Sequence, residues 1–250
     1  MKRIEAGTRW QTFGLFGPSG GGKTSVAATA PKPIILDSNQ GALVLANRPG
    51  LEHVRSEDIH KWTDLERAYR RCRGIIKKGT DWSKMFQTIT FDHFDDIQQI
   101  VLSELGEAAE ARDDRRDPDV TEQREWGIMG SRLRRYIRKF KAIPMHKILI
   151  FGEQEDHDEG RLKPSLVGAL RAQIPYFVDH MMYLRIAKDG TRYLHLDPGK
   201  TFYAKTRAWW LTPEQRKIKV EFDNPTTLTD LFALIAAGPK GTTKRRTREK

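Results

Sequence analysis

Residues Gly17 to Thr24 read Gly-Pro-Ser-Gly-Gly-Gly-Lys-Thr, and no other stretch constrains the chain as tightly. They fit the pattern G-x-x-x-x-G-K-[ST]. Glycines let successive backbone N–H groups turn inward, where they cradle phosphate oxygens. A helix opening at the end of the loop adds its positive end. Lys23 is placed to reach the outer phosphates of a nucleotide, and the Thr24 hydroxyl to hold magnesium. The candidate nucleotide-binding residues are therefore Gly17, Pro18, Ser19, Gly20, Gly21, Gly22, Lys23, Thr24 and Ser25. With average glycine use, a chance match in a chain this long is roughly a one-in-a-hundred event, which disfavours a mere glycine-rich turn.

The loop stands where its mechanism needs it. Thr12 to Phe16 is a short apolar run that reads as a strand, and Thr24 to Ala30 reads as a helix ended by Pro31 and Pro33. A second strand is predicted at Pro33 to Leu36, closed by Asp37, and a helix at Thr63 to Ile76. Thr88 to Phe91 reads as a third strand, Asp95 to Leu105 as a helix, and Glu107 to Glu125 as a charged loop beyond its first turn. Gly127 to Ile143 reads as a basic helix and Lys147 to Phe151 as a fourth strand. Met181 to Ile186 and Tyr193 to Leu196 flank the turn Lys188-Asp189-Gly190-Thr191, a hairpin signal. Leu228 to Ala237 is a last helix, closed by Gly238. Strands alternating with helices predict an α/β fold: a mostly parallel sheet flanked by helices, with a late antiparallel hairpin.

Magnesium needs an acid besides Thr24. Asp92 ends an apolar strand, the layout of a Walker B carboxylate, and is the candidate. Asp95 and Asp96 follow at a helix start, where the helix dipole alone favours acids.

With loop, strands and Asp92 placed, the chain resembles the RecA-like P-loop ATPases, most nearly the phage-encoded single-domain members of single-strand annealing and recombination. The likeness rests on an ordered series: Phe16 to Thr24, Ala27 to Pro33 and Ile35-Leu36-Asp37; then Trp126-Gly127, Glu153-Gln154-Glu155, Lys163 to Gly168 with Val178-Asp179, and Ala204 to Arg207. It implies a RecA-like core, ATP hydrolysis with Mg2+, and single-stranded DNA as partner. It further implies a homo-oligomer, ring or filament, in the cytoplasm of a bacterial host, alongside a single-strand-binding protein. Gln154 matches the polar sensor of the γ-phosphate. Lys205 and Arg207 match a basic pair placed across a subunit interface as catalytic fingers. Residues 107–125 and 156–169 stand where the family's DNA loops lie, which makes Arg115, Arg116, Arg161 and Lys163 candidates for DNA contact. One departure stands out: Asn39 occupies the place of the acid that usually orients the attacking water. An amide can position water but is a poor base, so either slow hydrolysis or a substitute acid elsewhere is expected.

Charge agrees with an anionic partner. The 250 residues carry a formal net charge of +11, and 239–250 hold six basic residues against one acid. That segment, with Lys244, Arg245 and Arg246, has almost nothing apolar and is expected to be a disordered arm following a domain of residues 1–238. It suits nucleic acid or mere solubility. The basic helix suits a DNA backbone or, more plainly, solvent. Cys72 is the single cysteine, which excludes an internal disulfide. Met1 to Trp10 lacks the apolar core of a signal peptide, and no apolar run is long enough for a bilayer. The acidic run Glu153 to Glu159 reads as a solvated loop and Trp209-Trp210 as core. Two other functions fit the same loop: a small-molecule phosphotransferase with Arg112 to Arg116 as lid, and a nucleotide-gated DNA-binding module with little turnover.

Overall fold

The computed structural model describes residues 10–75, 81–113, 115, 117 and 120–239. Arg116, Lys244, Arg245 and Arg246, and the basic arm from 240 on, lie outside them. The central strand is β1 (Thr12–Phe16), buried along its whole length. Its side chains alternate, so Phe13 and Leu15 enter one core and Phe16 the other.

After β1 come α1 (Lys23–Ala27), β2 (Pro33–Asp37), β3 (Arg55–Asp58), α2 (Trp62–Cys72), α3 (Trp82–Met85) and β4 (Thr88–Asp92). Then follow α4 (Phe94–Glu110), α5 (Gln123–Lys141), β5 (His146–Phe151), β6 (Glu153–Asp156), β7 (Arg161–Pro164), α6 (Ala169–Phe177), β8 (His180–Ile186), β9 (Arg192–His195), β10 (Lys217–Val220) and α7 (Thr227–Ala237). The main sheet runs β10-β9-β8-β1-β5-β4-β2-β3. From β8 to β3 all pairings are parallel; β8–β9 and β9–β10 are antiparallel. The α/β class, the parallel sheet and the late hairpin are as the alternation predicts. One face is packed by α2, α4, α5 and α6, the other by α1 and α7.

Several elements differ from the sequence reading. Helix α1 is short: beyond Ala27 the chain tightens into i→i−3 bonds (Thr29 N to Val26 O, 3.1 Å; Ala30 N to Ala27 O, 3.2 Å) ahead of Pro31. Helix α4 continues to Glu110, five residues past Leu105. Residues 153–164 are a small antiparallel hairpin, β6–β7, and the acids there are not simply solvated. Asp156 meets Lys163 at 3.0 Å and Arg171 at 3.5 Å. Trp209 is 72% exposed, so the core reading fails for it; its neighbour Trp210 packs on the α7 side.

Candidate functional site

The phosphate loop leaves the end of β1 beside β8. A Cβ on Gly17 would lie 2.5 Å from Leu184 O, so only glycine passes there. Gly22, at φ 94°, has the Phe222 ring 2.4 Å from where a Cβ would stand. Lys23 is folded back onto the loop, its Nζ donating to Gly17 O (3.0 Å) and Pro18 O (2.9 Å). Burial lowers its pKa, against the pull of Asp92, Asp95 and Glu153.

Asp92 ends β4 and is fully buried. Thr24 Oγ1 donates to its Oδ2 at 2.6 Å. Its Oδ1 lies 3.2 Å from His93 Nε2 but off a hydrogen-bonding angle, so this buried oxygen has no hydrogen-bond partner. Burial raises the Asp92 pKa, opposed chiefly by the Thr24 hydroxyl and the His93 and Lys23 charges. The Thr24 hydroxyl and a buried carboxylate oxygen with no hydrogen-bond partner are hard oxygen donors, and they fit Mg2+. Thr24 and Asp92, far apart in sequence, are thus brought together as their motifs require.

The neighbouring acids have separate jobs. Asp37 accepts from Asn39 N (3.2 Å), Gly41 N (3.0 Å) and Ala42 N (2.8 Å), and so shapes the turn after β2. Asn39 Nδ2 donates to Asp96 Oδ2 at 3.0 Å, and its Oδ1 accepts from Gly41 N at 3.0 Å. Gly152 N donates to Asp95 Oδ2 at 3.2 Å, pinning the end of β5. Asp95 and Asp96 therefore do more than face the helix dipole. After β5 it is Glu153 whose charge reaches Lys23, and Tyr183 Oη holds its Oε2 at 3.1 Å. Gln154, the expected sensor, is exposed on β6 and paired in register with Lys163, because neighbours on a strand alternate faces.

A cleft of about 360 Å³ opens over the loop. Besides Lys23, Thr24, Ser25, Asn39 and His93, it is lined by Arg48, Arg192 and Phe222. Sequence reasoning missed these three, since they come from separate turns with no shared spacing.

A sequence model of a known family, described as an AAA domain, matches residues 9–208. The chain belongs to the AAA domain family. As an AAA domain it is a nucleotide-binding P-loop NTPase of an ATPase family, and the phosphate-loop pattern falls within the matched residues. No curated protein matches the sequence. Among solved structures, the KaiC-like protein PH0186 from the hyperthermophilic archaeon Pyrococcus horikoshii OT3 is similar, with TM-score 0.50 and 12% identity over 90% of this chain and 97% of its own. The likeness shows that this AAA domain has a RecA-like fold.

The remaining candidates lie elsewhere on the AAA domain. Lys205 Nζ donates to Pro175 O, and Arg207 pairs with Asp179 at 2.8 Å. Asp179 also accepts from Thr12 N, at the start of β1, so the pair sits at the opposite end of the strands from the phosphate loop of its own subunit. Lys163 is held by Asp156 and Glu159 (2.7 Å) and is no free cation, a correction to its reading as a ready DNA contact. Arg161 is half-buried on β7. Arg115 is exposed and lines a groove with Arg112, Arg124 and Arg132, and with Asp113, Asp117, Glu122 and Glu125. On α5, Arg132, Arg138 and Lys139 lie over the rings of Trp62, Phe177 and Tyr69, while Arg135, Arg138 and Lys139 remain exposed to solvent. Among the described residues no helix is long and apolar enough to cross a membrane, and no cluster of His, Cys, Asp or Glu has metal-site form. Cys72 is buried, and burial raises its thiol to about 12.

Proposed function

We propose that this AAA domain binds and hydrolyses ATP with magnesium, and couples this to single-stranded DNA in annealing or recombination, as a homo-oligomer of the phage type. The Thr24–Asp92 pair with its orphaned Oδ1 supports the hydrolytic half. Magnesium held there would neutralise charge on the β- and γ-phosphates. Lys23 would leave the Gly17 and Pro18 carbonyls for the outer phosphates, an exchange of neutral acceptors for anionic ones. The DNA half is supported by the ordered resemblance, the net charge of +11 and the Arg112–Arg115–Arg124–Arg132 groove. Lys205 and Arg207 would act on the loop of an adjacent subunit.

Turnover measured with and without single-stranded DNA tests the reading. Strong stimulation that Lys23→Ala abolishes is the expected result; ATP hydrolysis indifferent to DNA would sink the DNA half. A second reading, a nucleotide-gated DNA-binding module with little turnover, has one observation in its favour. Both ends of the Asn39 amide are engaged, by Asp96 and Gly41, so the side chain at position 39 itself supplies no base. ATP-dependent DNA binding without measurable hydrolysis would establish it.

A further inference from the structure

Arg48 and Arg192 flank the mouth of the phosphate cleft from two sides. Arg48 comes from the turn after β2, and donates to Ser25 Oγ (2.7 Å) and Phe222 O (2.9 Å). Arg192 opens β9, and donates to Gly21 O (3.0 Å) and Gly190 O (3.3 Å). Both guanidinium carbons lie over one ring, Phe222, at 4.9 and 4.7 Å from its centroid. The same ring covers Gly22.

Their partners are all neutral. Among the described residues neither arginine forms an ion pair with a carboxylate, whereas Arg67, Arg71, Arg171, Arg207 and Arg216 each do. An aromatic face attracts each cation but neutralises neither charge. Two half-buried guanidinium groups drawn to one ring repel each other unless an anion joins them. Each carries a planar fork of donors that suits phosphate oxygens better than the single carbonyls it now meets.

The geometry points to Arg48 and Arg192 as phosphate-contacting residues supplied by the same subunit: they close on the phosphate chain of the bound nucleotide, and Phe222 is the positioning residue that holds both at the mouth. Arg48 approaches at Ser25, immediately after Thr24, and Arg192 at Gly21, so together they span the loop. The inference rests on the loop being a nucleotide phosphate site, and it adds two cations in cis to Lys23.

Two probes separate phosphate contact from contact with the nucleoside: a non-hydrolysable ATP analogue and inorganic tripolyphosphate, each with magnesium. Binding is measured for the full chain, Arg48→Gln, Arg192→Gln, Phe222→Leu and Lys23→Ala, with thermal unfolding as the fold control. The glutamines retain hydrogen-bond donors, which keeps the surrounding turns tied. Each arginine variant is expected to weaken both probes by tenfold or more, and to flatten the salt dependence of binding. Phe222→Leu should weaken both probes less, and leave the salt dependence in place because both cations remain. Wild-type affinity in the two arginine variants overturns the inference. So does loss of the ATP analogue with tripolyphosphate unaffected, which would place the arginines on the nucleoside. Unchanged binding in Lys23→Ala would instead overturn the nucleotide reading of the loop itself.

Discussion

His180 opens β8 and is almost fully buried, with Phe13 stacked on it at 4.9 Å. Its Nδ1 meets Thr206 Oγ1 at 2.8 Å, and its Nε2 has no hydrogen-bond partner. Burial holds its pKa down at about 4; Asp179 pulls upward, Arg207 and Lys205 downward. In the unfolded chain an imidazole titrates near its ordinary value of about 6.5. Between those values the unfolded state binds a proton that the folded state refuses, so stability must fall as pH drops from about 6.5 to 4, and level off below. The upper limit for this group is on the order of 3 kcal/mol. His180→Gln should flatten the pH dependence of chemical unfolding over that window; a slope equal to wild type would refute the assignment. His146 and His195, also near 4 through burial, keep part of the slope in the variant. At this scale the sequence was legible where one local pattern does the chemistry. Lys23 and Thr24 are fixed by their spacing, and Asp92 by ending an apolar run. Arg48, Arg192 and Phe222 were not legible, because three turns 30 or more residues apart along the chain meet only in space.

Helix α5 begins with Glu122 and Glu125 in reciprocal arrangement, and Glu122 N donates to Glu125 Oε2 at 2.7 Å. Glu125 is 4% exposed, so its carboxylate caps from inside the protein. Glu125→Ala should lower stability by about 1–2 kcal/mol, the upper range for a cap, through fraying of the first turn. The denaturation midpoint together with amide exchange at 123–126 checks this; fast exchange elsewhere and a native first turn would contradict it. Long amphipathic elements such as α5 were readable from periodicity. Short apolar strands such as β1 and β4 were readable too, but short elements without an apolar run were not. Strand β3 is Arg-Ser-Glu-Asp, an edge strand with no apolar residue, which the backbone of β2 recruits through pairing alone. Strand β10 alternates lysines with Ile218 and Val220, weakly marked, at the other edge. Helix α6 carries Pro175 near its end, a residue that reads as a breaker.

For the whole molecule, the distribution of cations decides what kind of assembly is sensible. Lys205 and Arg207 stand by the starts of β1 and β8, at the other end of the strands from their own phosphate loop, and Arg207 is half-exposed despite its pairing with Asp179. Under the proposed function, a basic pair so placed would serve catalysis only from one subunit to the next, where such a finger would be worth about 10³ to 10⁵ in rate. Changing both to Ala should leave nucleotide binding by the isolated subunit intact and greatly reduce DNA-stimulated turnover. Mixing that variant with Lys23→Ala should restore part of it, since mixed interfaces pair an intact loop with intact fingers. Recovery of nothing from two inactive variants that co-assemble would exclude the trans arrangement. The strand order has a further consequence, for the making of the protein. Strand β1 precedes the other described strands, yet its two neighbours, β5 and β8, come far later in the chain: residue 13 pairs with 148 and with 180. Thr29 then waits for Leu228, whose N donates to its Oγ1. Strand β1 has no partner until β5 has been made, and its other side stays open until β8 follows. The phosphate loop, carried on the end of β1, is held between its neighbours only once both are present, and the nascent chain must carry an apolar strand unpaired over that stretch.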